Sequence, residues 1–249
     1  MNEKKAFILI LLALLMGCAT LGSDRAGQEY YLEKKYYPSG KLLSEFQYQQ
    51  GMKEGIAREY YESGKLKAKV SYHHDRKEGL TREYYENDAL KAEVNYQEGK
   101  KEGPARQYYE NGKLKAEMSY QEGKEEGIVM EYYDTGKLKE EAHYKQGKKE
   151  GLTVEYFESG WSKVHYKSGE KDGTAKLYYE NGVAAEEINY TNGMLDGPCK
   201  YYYLNGQVKE DLNYRNGKLE GTKKIYSQSG ALLAEEIYKD GNLIGSQTY

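Results

Sequence analysis

From Tyr31 onward, apolar and polar positions alternate in short runs, and a cluster containing Gly interrupts each run. Alternation with a period of two marks half-buried β-strands, and the Gly clusters mark tight turns between them. The pattern repeats. Gly recurs at 55, 79, 103, 127, 151, 173, 197, 221 and 245, always 24 residues apart except for 22 between 151 and 173. A representative unit runs from Gly103 to Glu126, and an earlier one without the leading Gly occupies residues 31–54. Each unit holds two alternating runs, divided by one turn and closed by another. The spacing therefore predicts an all-β protein, an elongated, twisted antiparallel β-meander of about nine tandem 24-residue β-hairpin repeats over residues 31–249.

Tyr tests this alignment. One column holds Tyr36, Tyr60, Tyr84, Tyr108, Tyr132, Tyr156, Tyr178, Tyr202 and Tyr226, and a second holds Tyr48, Tyr72, Tyr96, Tyr120, Tyr144, Tyr166, Tyr190, Tyr214 and Tyr238. A third, directly after the first, departs only at Phe157 and Ser227. The turns read Glu62-Ser63-Gly64 or Glu110-Asn111-Gly112 in one class, and Gln97-Glu98-Gly99 or Lys167-Ser168-Gly169 in the other. A two-residue type I′ turn needs positive φ at both central positions, which suits Glu-Gly poorly, so three-residue loops with a bulge at Gly are expected throughout. Asp75 and Asp88 stand where Gly is missing, and Asp tolerates the left-handed region.

With three-residue loops, the two exceptionless Tyr columns share one face with the Leu66 and Val70 columns. The opposite face then takes the third Tyr column with Lys and Glu, such as Lys67 with Glu93 and Lys115 with Glu117. The unit that starts at Gly151 is expected to lose its two residues from the second strand (Trp161 to Tyr166), which preserves this parity, because losing one would turn every later side chain over.

The first residues follow another logic. Lys4 and Lys5 precede an apolar run from Ala6 to Met16, whose helix would be about 16 Å long against a hydrocarbon core of about 30 Å. It reads as a signal-peptide h-region. It ends in Leu15-Met16-Gly17-Cys18, which resembles the lipobox of bacterial lipoproteins; an ordinary signal peptide with an incidental Cys is the alternative. The resemblance implies cleavage after residue 17, acylation at Cys18 and a polar tether over 18–30. It also implies a lipid-anchored location in the cell envelope. Ala19, rather than Asp, follows the Cys, which implies the outer membrane if the source is Gram-negative.

Composition narrows the function classes. Charged residues are 31% of the chain yet balance to a net charge of -3, which gives no basic stripe for nucleic acid. Tyr totals 29 against 3 Phe and 1 Trp, so the aromatic content is almost all amphipathic. Cys199, the second of two Cys, reads as structural. His143 and His165 share a repeat column about 10 Å apart, too far for shared metal ligation. His73 and His74 complete the set of four. The Glu columns read as cross-strand partners of Lys, and no nucleotide or nucleophile-elbow motif is present. No catalytic residue, metal site or cofactor is expected.

The pattern Tyr-Tyr-x-x-Gly-Lys-Leu-Lys, followed by x-x-x-Tyr-x-x-Gly-Lys-x-x-Gly, resembles the membrane occupation and recognition nexus (MORN) repeat. It is closest to the bacterial variant found in antitoxin-like proteins. The resemblance covers about residues 31–245. It implies an interaction scaffold without catalytic residues, and phospholipid binding has been attached to some members. The expected binding surface is the third Tyr column, Tyr61, Tyr85, Tyr109, Tyr133, Tyr179 and Tyr203, flanked by Lys. Besides the membrane, the expected partner is another protein. The other readings are an antitoxin or immunity component, and a binder of glycans or lipid headgroups.

Overall fold

The computed structural model describes residues 18–23 and 29–249. The expected signal peptide, residues 1–17, lies outside the described residues. Among the described residues no helix is long and apolar enough to cross a membrane. The chain divides into two compact units, the first reaching Lys124 with Asp134–Gly136 added, the second comprising Glu125–Tyr133 and Lys137–Tyr249. Each is an antiparallel β-meander of hairpins in chain order. The first also includes a strand over Cys18–Ser23, paired with Glu29–Tyr36 from Cys18↔Lys34 to Ser23↔Glu29. Part of the stretch expected to be a tether is thus extended backbone in a sheet.

One hairpin shows how the repeat is built. Its outgoing strand is Gly55–Tyr60 and its returning strand is Leu66–His73. The loop between them is the expected three-residue one. The Tyr61 amide donates to the Lys65 carbonyl at 2.9 Å, and the Gly64 amide donates to the Tyr61 carbonyl at 2.8 Å. Gly64 sits at φ 91, where a Cβ would be strained. In the next repeat Asp88 takes that place at φ 70 and makes the same bond to Tyr85.

The second turn corrects the expectation. Between repeats the turns have two residues, both at positive φ: Gln50-Gly51, His74-Asp75, Glu98-Gly99, Glu122-Gly123 and their successors. The pairing Gln97↔Lys100 leaves room for nothing longer. These are type I′ turns, even with Glu or Gln at the first position. The left-handed region costs such a residue about 1–2 kcal/mol. From His74-Asp75 onward that cost is offset by two hydrogen bonds from each turn to the preceding repeat, at about 0.5–1.5 kcal/mol each.

The faces also differ from the expected assignment. Glu59 pairs with Ala68, but Tyr60 pairs with Leu66, so Lys67 bulges out of the returning strand. The bulge turns the register by one and places Tyr60 and Leu66 on the side opposite Ala57, Val70 and Tyr72. The two exceptionless Tyr columns therefore occupy different faces. The side with Ala57, Ala68 and Val70 is the core face. In the first unit it also buries Ser44, Thr81, Ala105, Ala116 and Met118; in the second it buries Val129, Ala142, Thr153, Ala185, Cys199 and Leu212. Small side chains dominate this row. The other, charged face carries the Tyr60 and Leu66 columns among ion pairs, where the Tyr60 hydroxyl donates to Glu45 at 3.0 Å and Arg106 meets Glu117 at 2.7 Å. Strand alternation returns Tyr61 to the core side, so the third Tyr column does not lie on the charged face. The expected pairs Lys67–Glu93 and Lys115–Glu117 are replaced by Arg82–Glu93 and Arg106–Glu117.

The shortened repeat solves its deletion neatly within the hairpin. Lys148–Phe157 and Gly160–Lys167 pair without a bulge, from Gly151↔Tyr166 to Phe157↔Gly160. The two residues are not both lost from the second strand, as expected: one is lost from the loop and one from the bulge, so the Gly-to-Tyr pairing seen at Gly127↔Tyr144 survives. Trp161 takes the place of the Leu66 column, and its ring stacks on Tyr178 at 3.8 Å between centroids.

Candidate protein-interaction surface

Each repeat is fastened to the next by three sets of side chains, and these decide which groups remain for a partner. The first set is the third Tyr column. In the first unit, the hydroxyls of Tyr37, Tyr61 and Tyr85 donate to the carbonyls of Tyr60, Tyr84 and Tyr108 at 2.8, 2.7 and 2.8 Å. In the second, Tyr133, Tyr179 and Tyr203 do the same to Tyr156, Tyr202 and Tyr226 at 2.6, 2.9 and 2.8 Å. Lys67, Lys91 and Lys115 hold their ammonium groups 5.8, 5.9 and 5.7 Å over the rings of Tyr61, Tyr85 and Tyr109. The Lys flanks are thus as expected, but the hydroxyls that a binding surface would use are engaged in joining repeats.

The second set is an acidic column just before the repeat Gly, whose Glu members were expected to be cross-strand partners of Lys. In the first unit Glu54, Glu78 and Glu102 accept from the amides of His74, Glu98 and Glu122 at 3.0, 2.7 and 2.9 Å. In the second, Glu126, Glu150, Asp172, Asp196 and Glu220 accept from the turns at Gln146, Ser168, Asn192, Asn216 and Asp240. Beside each lies a backbone bond, such as that from the Gly99 amide to the Lys77 carbonyl at 2.9 Å. The Glu-Gly or Asp-Gly dipeptide that opens every unit from Gly55 to Gly221 was the available signal.

The third set lies on the core face, where Lys53, Lys77 and Lys101 hold their ammonium groups 5.2, 4.9 and 4.6 Å over the rings of Tyr72, Tyr96 and Tyr120. Burial pushes the Tyr72 phenol above its usual pKa. The same cause, reinforced by the Glu33 carboxylate, raises Tyr48 to about 12, and burial raises Tyr201 to about 12.

What remains open is on the charged face. Ile56 and Leu80 occupy equivalent positions just after the repeat Gly, 39% and 41% exposed, and Pro104 continues the column as an exposed residue. Successive members stand roughly 10 Å apart, two strand spacings. Leu80 is flanked by the pair of Arg82 with Glu93 at 3.6 Å. In the second unit Ile128 holds the same position at 47% exposure, opposite His143. Leu152 follows it opposite His165, whose ring nitrogen lies 3.5 Å from the Thr174 carbonyl. His143 and His165 therefore border an apolar column.

Cys199 is a buried free thiol whose pKa is raised by burial, which makes it a poor nucleophile. His73 and His74, in contrast, converge with Glu54 at one turn, a grouping not visible from their spacing. The backbone of Cys18 pairs with Lys34 at the start of the first strand.

The family model of the MORN repeat variant matches residues 32–50, 53–74, 77–98, 101–122, 125–146, 171–192 and 195–216. No curated protein matches the chain. Among solved structures the chain is similar to TcdB2-TccC3-TEV, with 12% identity over 88% of this chain and 15% of that one, at a TM-score of 0.20. It is also similar to the Photorhabdus luminescens Tc holotoxin pore, with 12% identity over 86% of this chain and 15% of that one, TM-score 0.20. A porin-like protein from Bacteroides uniformis shares 9% identity over 92% of both chains, TM-score 0.19. The chain spans about 15% of the length of the two toxin chains that it matches.

Proposed function

Because the chain belongs to the MORN repeat variant family, we propose that it is a non-enzymatic interaction scaffold, held at the bacterial cell envelope by lipid on Cys18, whose charged face receives another protein. The observation that supports this reading best is the exposed column of Ile56, Leu80 and Pro104 on that face. Apolar side chains at regular spacing, set among paired charges, have the make-up of a protein interface with a polar rim. The Tyr hydroxyls and the turn carboxylates serve the scaffold itself, which moves the binding surface away from the Tyr61 series. The lipobox-like Leu15-Met16-Gly17-Cys18 supports the anchor, and Ala19 supports an outer-membrane address in a Gram-negative source.

The test has two arms. Radiolabelled palmitate should enter the chain and be lost in Cys18→Ser. A specific envelope protein should be retained by the immobilised chain and lost in the double variant Ile56→Lys, Leu80→Lys, with the circular dichroism unchanged. A toxin as the retained protein would make the chain an immunity component. If the double variant retains the partner as well as the parent does, the charged face is not the interface.

A further inference from the structure

We propose that Glu54, His73 and His74 form a binding site for a divalent transition-metal ion of the zinc type. His74-Asp75 is, among the described residues, the one two-residue turn between repeats whose second position is not Gly, with φ 47 and 66. Asp75 occupies that strained position, and its carboxylate is held by the Lys53 amide at 2.8 Å. The turn is thus fixed by a bond that the Gly turns do not make. Glu54 keeps its place in the acidic column through the bond from the His74 amide to Oε2 at 3.0 Å. Its other oxygen, Oε1, lies 2.9 Å from His73 Nδ1. The two imidazole rings are 4.1 Å apart between centroids.

The ligand atoms of all three residues lie within 4.8 Å of one another. Bonds of about 2.0–2.2 Å to nitrogen and oxygen set tetrahedral ligand–ligand edges at about 3.3 Å. Small rotations of the two exposed imidazoles close that gap, because the carboxylate is already fixed from the backbone side. Two imidazoles and a carboxylate are a borderline donor set, suited to zinc and its neighbours rather than to calcium or magnesium. The surroundings favour a cation. The depression beside the rings is lined by Glu78, Glu98 and Arg76, and the Arg76 guanidinium is turned onto Glu98 at 3.6 Å. Three protein ligands leave a fourth position for water or for a group on a partner.

Cobalt(II) and zinc(II) titrations of the full chain in detergent test the site. One equivalent of cobalt(II) should give the visible absorption of a four-coordinate nitrogen and oxygen site, and one equivalent of zinc(II) should displace it. His73→Gln with His74→Gln should weaken binding by more than about 100-fold, as expected when ligands themselves are removed. His143→Gln with His165→Gln should leave it unchanged. An unaltered melting temperature in the metal-free His73→Gln, His74→Gln variant separates ligand loss from unfolding. Absence of a saturable cobalt spectrum, or an affinity equal in that variant and the parent, overturns the proposal.

Discussion

Replacing Tyr85 by Phe removes one oxygen and leaves the rest of the joint in place. The ring keeps its position under Lys91, whose ammonium lies 5.9 Å from the centroid. What goes is the 2.8 Å bond to the Tyr108 carbonyl in the following repeat. A hydrogen bond of this kind is worth about 0.5–1.5 kcal/mol net. The site is half-buried, so water can reach the vacated carbonyl, and the expected loss is about 1 kcal/mol. Adding Tyr61→Phe removes the same bond one repeat earlier, at 2.7 Å. Repeat arrays sum nearest-neighbour terms, so the pair should lose about 2 kcal/mol. With a urea slope of about 2 kcal/mol/M, each hydroxyl should shift the unfolding midpoint by about 0.5 M, read by far-ultraviolet circular dichroism. Phe157 provides an internal control. A Cβ on Gly160 would meet the Tyr178 carbonyl at 1.9 Å, so that acceptor is already covered by backbone, and Phe157→Tyr should add no stability. An unchanged midpoint for Tyr85→Phe, together with loss of the retained partner, would refute the reasoning and return the column to the role of a binding surface.

Two further outcomes follow from the same geometry. Gly160→Ala should cost about 3 kcal/mol or more, because its Cβ would lie 1.9 Å from a backbone oxygen at φ +151, whereas Gly182→Ala, open to solvent at φ +82, should cost only about 1–2 kcal/mol; equal urea midpoints for the two would contradict the assigned strand contact. The protein should also lose stability in alkali: Tyr48 and Tyr201 are raised to about 12 in the fold, so the preference for neutral phenols is fully present below pH 10 and vanishes as pH rises through about 12. Phenolate absorbance and circular dichroism recorded together should show these rings ionising as the fold is lost, and full ionisation near pH 10 with the fold intact would show that they are not desolvated.

The hairpin repeat was legible because its signals are local. Gly64 in its loop and the alternation through Ala68, Val70 and Tyr72 each follow from steric rules within a few residues of chain. The bulge at Lys67 was not legible, since nothing about a Lys after a Leu marks it, and missing it sent the Tyr60 column to the wrong face. The type I′ turn at Glu98-Gly99 was missed for a related reason. Its local cost is real, but the compensation comes from Glu78 and Lys77 in another repeat, which a reading of the turn alone cannot weigh. The acidic column was visible as a periodicity, but its carboxylates accept from turn amides rather than pairing with Lys across the strand. The convergence of His73 and His74 on Glu54 required the strand pairing that brings residues 19 and 20 positions apart together.

The direction of the turn bonds has a consequence for how such a chain can change length. Glu78 serves the turn of the repeat after it, while the turn at His74 is served by Glu54 in the repeat before. Every interior repeat therefore gives one carboxylate forward and receives one from behind. Duplicating or excising a whole repeat leaves each donor with an acceptor. An insertion or deletion of an odd number of residues within a strand would instead invert a face. Whole repeats are thus the steps of length that keep every one of these turn bonds in register.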